Sequence, residues 1–314
     1  MEWQSMDPIK TQALGKTYRK GLKQKRVQAL KDLSLTVADG EIFGFLGPNG
    51  AGKSTTIKLL CDLIRPTSGR ASIFGQDVRE SEARRNIGYL PENPSYYNFL
   101  TGWELLEFHG TIHGMSSGLI RQRGEELLPM LELADAAHRQ VRTYSKGMVQ
   151  RLGIAAALVH DPRILILDEP MSGLDPVGRK LVANLVLAMR DRGKVVFFST
   201  HILHDVEVIC DRIGIITHGE LRFCGPLPDM ISESFASYEI LFRRVEPAQV
   251  NVLEREGHAP VSIEDKVKVN VQKADLVTFL ASFMQNNMEL ISIEPKRMRL
   301  EDFFMGFVNS RLQD

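Results

Sequence analysis

The sequence predicts an α/β fold followed by a smaller α+β module, and three features carry that expectation. An apolar stretch, Glu41-Ile-Phe-Gly-Phe-Leu46, runs into the glycine-rich segment Gly47–Thr55 and then into a helix-forming run, Thr56–Leu60. A second apolar run, Ile164-Leu-Ile-Leu167, ends in two carboxylates, Asp168 and Glu169, followed by Pro170. Short unbroken apolar runs of this kind suit parallel strands covered on both faces. Beyond Gly225-Pro-Leu-Pro228, strand-like and helix-like patterns follow in the order βαββαβ.

The first feature carries the most chemistry. Gly47, Pro48, Asn49, Gly50, Ala51, Gly52, Lys53, Ser54 and Thr55 form the pattern Gly-x-x-x-x-Gly-Lys-Ser between a strand and a helix. Glycines at 47, 50 and 52 let the backbone wrap a polyphosphate, because side chains there would block close approach. The loop N–H groups and the helix N-terminus then face the negative charge. Lys53 is expected to reach the β/γ-phosphates, and Ser54 to offer its hydroxyl to Mg²⁺. The expected ligand is a nucleoside triphosphate.

At the end of the second apolar run, Asp168 is placed to hold the Mg²⁺ shell, since ligands collect at the carboxyl ends of strands in open α/β sheets. Glu169, one residue on, is the candidate for polarising the attacking water.

Between these motifs lies Tyr144-Ser-Lys-Gly-Met148, leading through a helical stretch, Val149–His160, to the Asp168 strand. In this order the segment resembles the signature motif, usually Leu-Ser-Gly-Gly-Gln, of the ATP-binding subunits of ABC transporters. Tyr144, Lys146 and Met148 depart from that consensus. Ser145 and Gly147 remain, and a serine hydroxyl with a glycine N–H at a helix N-terminus makes an anion site. The resemblance implies that Ser145 and Gly147 contact the γ-phosphate held by an opposing subunit. Ser172-Gly-Leu-Asp175 is similar to the family's D-loop, with Asp175 at the dimer interface. His201, after the strand Val195–Thr200, resembles the switch histidine that contacts the γ-phosphate. Tyr18 occupies the place of the aromatic that stacks on adenine. In Ile87-Gly-Tyr-Leu-Pro-Glu92, Glu92 stands where the family has a glutamine linking Mg²⁺ to the membrane subunit, and a carboxylate can coordinate the same metal.

Composition is consistent with this reading. The 314 residues carry 39 Lys and Arg against 39 Asp and Glu, a zero net charge that argues against general nucleic-acid binding. A content of 43% hydrophobic residues supports a packed core. The densest basic run, Lys16 to Arg26, reads most simply as a solvated hairpin tip near the nucleotide. Cys61, Cys210 and Cys224 show no metal-binding spacing, and Cys61 is expected to be a small buried thiol. No apolar run approaches the roughly 18 residues needed to span a bilayer, and the N-terminus lacks a signal pattern. The expected location is cytoplasmic, peripheral on the cytoplasmic face of the membrane.

Along the chain, the ATP-binding cassette is expected over residues 7–225. It would comprise an antiparallel β subdomain through about residue 40 and a helical subdomain over roughly 95–160, with helices at Trp103–His113 and Glu125–Leu133. Tyr96, Tyr97 and Phe99 are read as core, although in the family this region receives a helix of the membrane subunit. Strands Ile213–Thr217 and Glu220–Phe223 should form a hairpin across His218-Gly219. A linker over 226–236 precedes an accessory domain over 237–314, whose βαββαβ order suggests a ferredoxin-like module. That module has 10 Lys and Arg against 12 Asp and Glu and is not a nucleic-acid grip. Its ending, Leu300-Glu-Asp-Phe-Phe304, resembles the tail of ATPases of the ABC-2 type export class.

The resemblance implies an ATPase closing head to tail with a second copy, or with a paralogue, around two Mg²⁺-ATP and driving export through a separate integral membrane permease. The rival reading is a soluble, non-transport ABC-type ATPase. Translation factors of that kind carry two cassettes, and repair enzymes carry long coiled-coil or zinc insertions; neither feature is in this sequence.

Overall fold

The computed structural model describes residues 7–20, 25–227, 237–255, 257–263, 265–283 and 288–296. The tail Leu300–Phe304 and residues 228–236 of the expected linker lie outside them. The chain forms two compact units, Met1–Leu227 and Pro228–Asp314.

The first unit is built on two sheets. One is antiparallel, with β1 (Ile9–Lys20) between β2 (Lys25–Val37) and β4 (Ser68–Ile73), and β5 (Gln76–Asp77) at its edge. The other has six strands in the order β10-β9-β3-β8-β7-β6. They are β3 (Ile42–Leu46), β6 (Ile87–Leu90), β7 (Ile164–Asp168), β8 (Val195–Thr200), β9 (Arg212–Thr217) and β10 (Glu220–Pro226). Every residue of β3, β7 and β8 is buried, which explains their unbroken apolar runs. Phe43 stacks on Phe197 with ring centroids 5.6 Å apart. Burial of each such side chain contributes roughly 1.5–3 kcal/mol.

Register decides where the chemistry goes. Leu46 pairs with Thr200 in a parallel ladder, and Asp168 pairs with Ser199. The segments that follow β3, β7 and β8 therefore leave the same edge of the sheet. Those segments hold the glycine-rich loop, Glu169 and His201.

Helix α1 (Lys53–Leu60) follows the loop, and α2 (Ser81–Arg85) precedes β6. Helix α3 (Gly102–Ile112) opens with a capping box between Thr101 and Glu104. The next helix differs from expectation: α4 spans Ser117–Met130 rather than Glu125–Leu133. Ser116 caps it by accepting from Leu119 N–H, which starts the helix early, and Glu132 at φ 54° turns the chain out of it. Helices α5 (Lys146–Leu158), α6 (Pro176–Asp191) and α7 (Leu203–Ile209) follow along the described part of the unit. β9 and β10 pair antiparallel across His218 (φ 51°) and Gly219 (φ 79°), two left-handed residues of the kind a tight hairpin requires.

Tyr97 and Phe99 correct the sequence reading, being 56% and 67% exposed rather than core. They lie in a loop with no periodicity to bury them, and the Tyr97 ring meets Phe99 and exposed Phe108 at 5.6 and 5.9 Å. Tyr96 is half-buried, its ring edge-on to His109. Cys61 is buried, as expected, and burial with the nearby charge of Asp168 pushes its thiol pKa up.

The second unit is an antiparallel sheet in the order β12-β13-β11-β14: β11 (Ser237–Arg243), β12 (Val261–Ile263), β13 (Lys266–Gln272) and β14 (Glu289–Lys296). Helices Pro247–Arg255 and Leu276–Phe283 connect its strands. With its first strand beside its third and fourth, the module is ferredoxin-like. Its core gathers Ile240, Phe242, Leu253, Val269, Val271 and Phe279. Among the described residues, no helix is long and apolar enough to cross a membrane.

Candidate functional site

The glycine-rich loop closes tightly on itself. A Cβ at Gly47 would stand 2.4 Å from Ile216 O, so only glycine fits there, and Gly52 holds φ 117° at the start of α1. No side chain caps α1, and its first-turn N–H groups have no partners within the helix. Lys53 folds back under the loop, donating to Gly47 O at 2.7 Å and Pro48 O at 3.3 Å. Tyr18 OH lies 3.5 Å from Thr55 Oγ1, which brings the aromatic to the loop.

The acids from β7 meet this loop. Ser54 Oγ donates to Asp168 Oδ1 at 3.2 Å, and Ser199 Oγ donates to the same oxygen at 2.6 Å. Glu169 lies between Lys53 and His201. Its Oε1 is 3.2 Å from Lys53 Nζ, and its Oε2 is 2.9 Å from His201 Nδ1. A cavity of about 340 Å³ is lined by Asn49, Gly50, Gly52, Lys53, Ser54, Thr55, Glu92 and Glu169, with Ala29 at its side. Its volume falls in the usual range for small-molecule sites. Glu92 is exposed.

The remaining candidates stand apart from this cavity; none of Ser145, Gly147 and Asp175 lines it. Ser145 caps α5, its Oγ accepting from Met148 N–H at 3.2 Å. A Cβ at Gly147 would come within 3.3 Å of Leu174 Cδ2. Asp175 caps α6, accepting from Gly178 N–H at 2.9 Å. Two of the departures from the consensus have local partners: Tyr144 OH donates to Ala136 O at 2.7 Å, and a Cβ at Gly173 would lie 3.0 Å from Lys146 Nζ. The first turn of α5 thus leans on the Gly173–Asp175 loop.

The donor set fits both expected ligands. Uncapped N–H groups and a buried lysine suit a polyphosphate. A hydroxyl and a carboxylate within 3.2 Å are the hard oxygen donors that Mg²⁺ prefers.

A family model described as ABC transporter matches residues 30–172. An ABC transporter ATP-binding protein of Nostoc sp. is 40% identical over 306 residues, covering 96% of this chain and 90% of the relative. The chain belongs to the ABC transporter ATP-binding proteins. As such it is an ATP-binding subunit and an ATPase. The linearmycin resistance ATP-binding protein LnrL of Bacillus subtilis is 31% identical over 295 residues, covering 91% of this chain and 95% of the relative. An ATP-binding subunit of an ABC transporter aligns with a TM-score of 0.64 at 31% identity, over 72% of this chain and 92% of that one. A dimeric ATP-binding cassette in a post-hydrolysis state, bound to ADP and Pi, aligns with a TM-score of 0.64 at 29% identity. That match covers 70% of this chain and 98% of the other.

Two residues of this ABC cassette escaped the sequence reading. Ser199 joins Asp168 and Glu169, bonding the carboxylate of one and the N–H of the other. A hydroxyl closing the apolar run Val195–Phe198 was its only signal. Gln150, a glutamine 2% exposed, reaches the carbonyls that follow β7.

Proposed function

We propose that this chain closes head to tail with a second copy, or with a paralogue, around two Mg²⁺-ATP and drives export through a separate membrane permease. One observation carries the head-to-tail reading. Lys53, Ser54 and Glu169 line one cavity, with Asp168 bonded to Ser54 and His201 to Glu169, while Ser145 and Gly147 open a helix that does not line it. A site assembled from two copies uses both halves. The dimeric state of a related cassette supports it.

In this reading Gly47–Thr55 and Lys53 hold the phosphates, and Tyr18 stacks on the base. Ser54 and Asp168, with Glu92 at the rim, would hold Mg²⁺, which supplies charge neutralisation on the phosphate oxygens. Glu169 accepts a proton from the attacking water, oriented by His201 on its Oε2. Ser145 and Gly147 meet the γ-phosphate of the other copy, and Asp175 lies beside them at the interface. Closure then depends on nucleotide state, because the γ-phosphate bridges two subunits.

The exposed aromatics Tyr97, Phe99 and Phe108, with Ile112 at 65% exposure, form the surface we assign to a helix of the permease. Residues 7–225 are the cassette in this account, 226–236 the linker and 237–314 the accessory domain, with the assembly on the cytoplasmic face. Affinity capture from detergent-solubilised membranes tests the transport part. Recovery of a membrane-spanning chain with this one is expected; recovery without one contradicts it.

A further inference from the structure

Glu169 holds an uncommon backbone conformation for a residue with a side chain, φ 51°. Both of its peptide groups are tethered. Its N–H lies 3.2 Å from Ser199 O and from Ser199 Oγ. Its carbonyl accepts from Ser172 N–H at 3.0 Å and stands 3.5 Å from Gln150 Nε2. The same Gln150 amide donates to Pro170 O at 3.3 Å.

Gln150 is the one residue with a polar side chain among the buried residues of α5, which are otherwise Leu152 through Leu158. A buried amide is costly unless its donors are met. A leucine of similar bulk would fill the space without that cost, so the amide's use lies in the carbonyls of residues 169 and 170. Those carbonyls belong to the turn that aims the Glu169 carboxylate. Gln150 sits five residues beyond Ser145, about 7.5 Å along the helix axis. One helix therefore carries both the candidate signature turn and the side chain that touches this chain's own acid-bearing turn.

We propose that Gln150 is a positioning residue for hydrolysis, holding the turn made by left-handed Glu169 and the following Pro170 from the helix that begins with the signature. The proposal rests on Glu169 acting on the attacking water. Without the amide, the turn loses a tether that favours its strained conformation, and the carboxylate spends less time aimed at that water. The effect belongs to the chemical step, because Gln150 does not line the phosphate cavity.

Gln150→Leu tests this in the full chain, with steady-state ATPase and calorimetric binding of a non-hydrolysable ATP analogue measured side by side. Turnover should fall on the order of tenfold, while analogue affinity stays within about twofold. Gln150→Glu, of equal length but presenting carboxylate oxygens to the two carbonyls, should lose at least as much turnover with affinity again kept. It supplies the same comparison if the leucine variant does not fold. Wild-type turnover in either folded variant overturns the proposal, and so does a loss of affinity as large as the loss of turnover. Glu169→Gln separates the two assignments: if it hydrolyses normally, the role of Glu169 falls. If Glu169→Gln is inactive and Gln150→Leu is not impaired, only the role of Gln150 falls.

Discussion

Lys53 and Glu169 form a buried ion pair, Nζ to Oε1 at 3.2 Å, with side chains 6% and 8% exposed. The pair links the phosphate loop to the candidate base. In the proposed cycle the incoming phosphates compete for the Lys53 ammonium. As they draw it away, Glu169 keeps His201 on its other oxygen and becomes free to accept a proton.

Glu169→Gln should therefore remove catalysis and spare binding. Loss of a positioned base costs on the order of 10²–10⁴ in rate. ATP affinity should not fall, because Lys53 no longer has a carboxylate to leave. Phosphate release and gel filtration check this: the variant should accumulate as an ATP-bound dimer. Hydrolysis at the wild-type rate would falsify the assignment.

Lys53→Ala has two expected effects. It removes a charged contact to phosphate, so calorimetry should show lost ATP affinity. It also leaves the buried Glu169 carboxylate with His201 as its remaining side-chain partner, which should destabilise by roughly 1–3 kcal/mol. Denaturant unfolding of the ligand-free protein reads the second effect, and adding Glu169→Ala should restore much of the lost stability. No recovery in the double variant means that the pair is not coupled.

Much of this site is legible in the sequence because each half is local. The loop Gly47–Thr55 and the run Ile164–Asp168 announce themselves by spacing and by the end of an apolar stretch. The C-terminal βαββαβ order is legible from alternation, since Ile240 and Phe242 face a core that Tyr238-Glu-Ile-Leu-Phe242 already implies. The Lys53–Glu169–His201 chain is not legible, because it depends on the registers of β3 and β7 against β8, pairings between distant segments. Gln150 is hidden for another reason: glutamine is a good helix former on any face, so only the packed structure reveals its burial. Tyr97 and Phe99 mislead because aromatic residues suggest core wherever they occur, and a loop offers no period to correct the impression.

A histidine cluster on the helical side makes stability depend on pH. His113 and His160 stack with centroids 3.6 Å apart, and His160 Nε2 lies 3.2 Å from Ile87 O. Burial, with the nearby charge of His113, lowers the His160 pKa from 6.5 to about 4, and burial lowers those of His109 and His113 as well. Below the ordinary value the unfolded chain takes up protons that the folded chain refuses. Stability should thus fall as pH drops from about 6.5 towards 4. Thermal unfolding across that window should show a shallower slope for His160→Gln, and an identical slope contradicts the account.

Removal of residues after 227 should leave a folded cassette, because Met1–Leu227 is a compact unit holding every candidate site residue. Circular dichroism and ATP-analogue binding are expected to survive. An unfolded truncation places part of the core beyond the boundary.

The head-to-tail site is tested most directly by mixing two inactive variants. Gly147→Asp places a negative charge in the first turn of α5, where its own helix tolerates it. Its Cβ asks only a few tenths of an ångström from Leu174. It should bind ATP as a monomer yet neither close nor hydrolyse, because like charge faces the partner's γ-phosphate. Lys53→Ala fails in the other half of the site. Heterodimers of the two contain one doubly damaged composite site and one intact one. Mixing should restore ATPase activity above that of either variant alone. Full activity in Gly147→Asp by itself, or no recovery on mixing, contradicts the composite site.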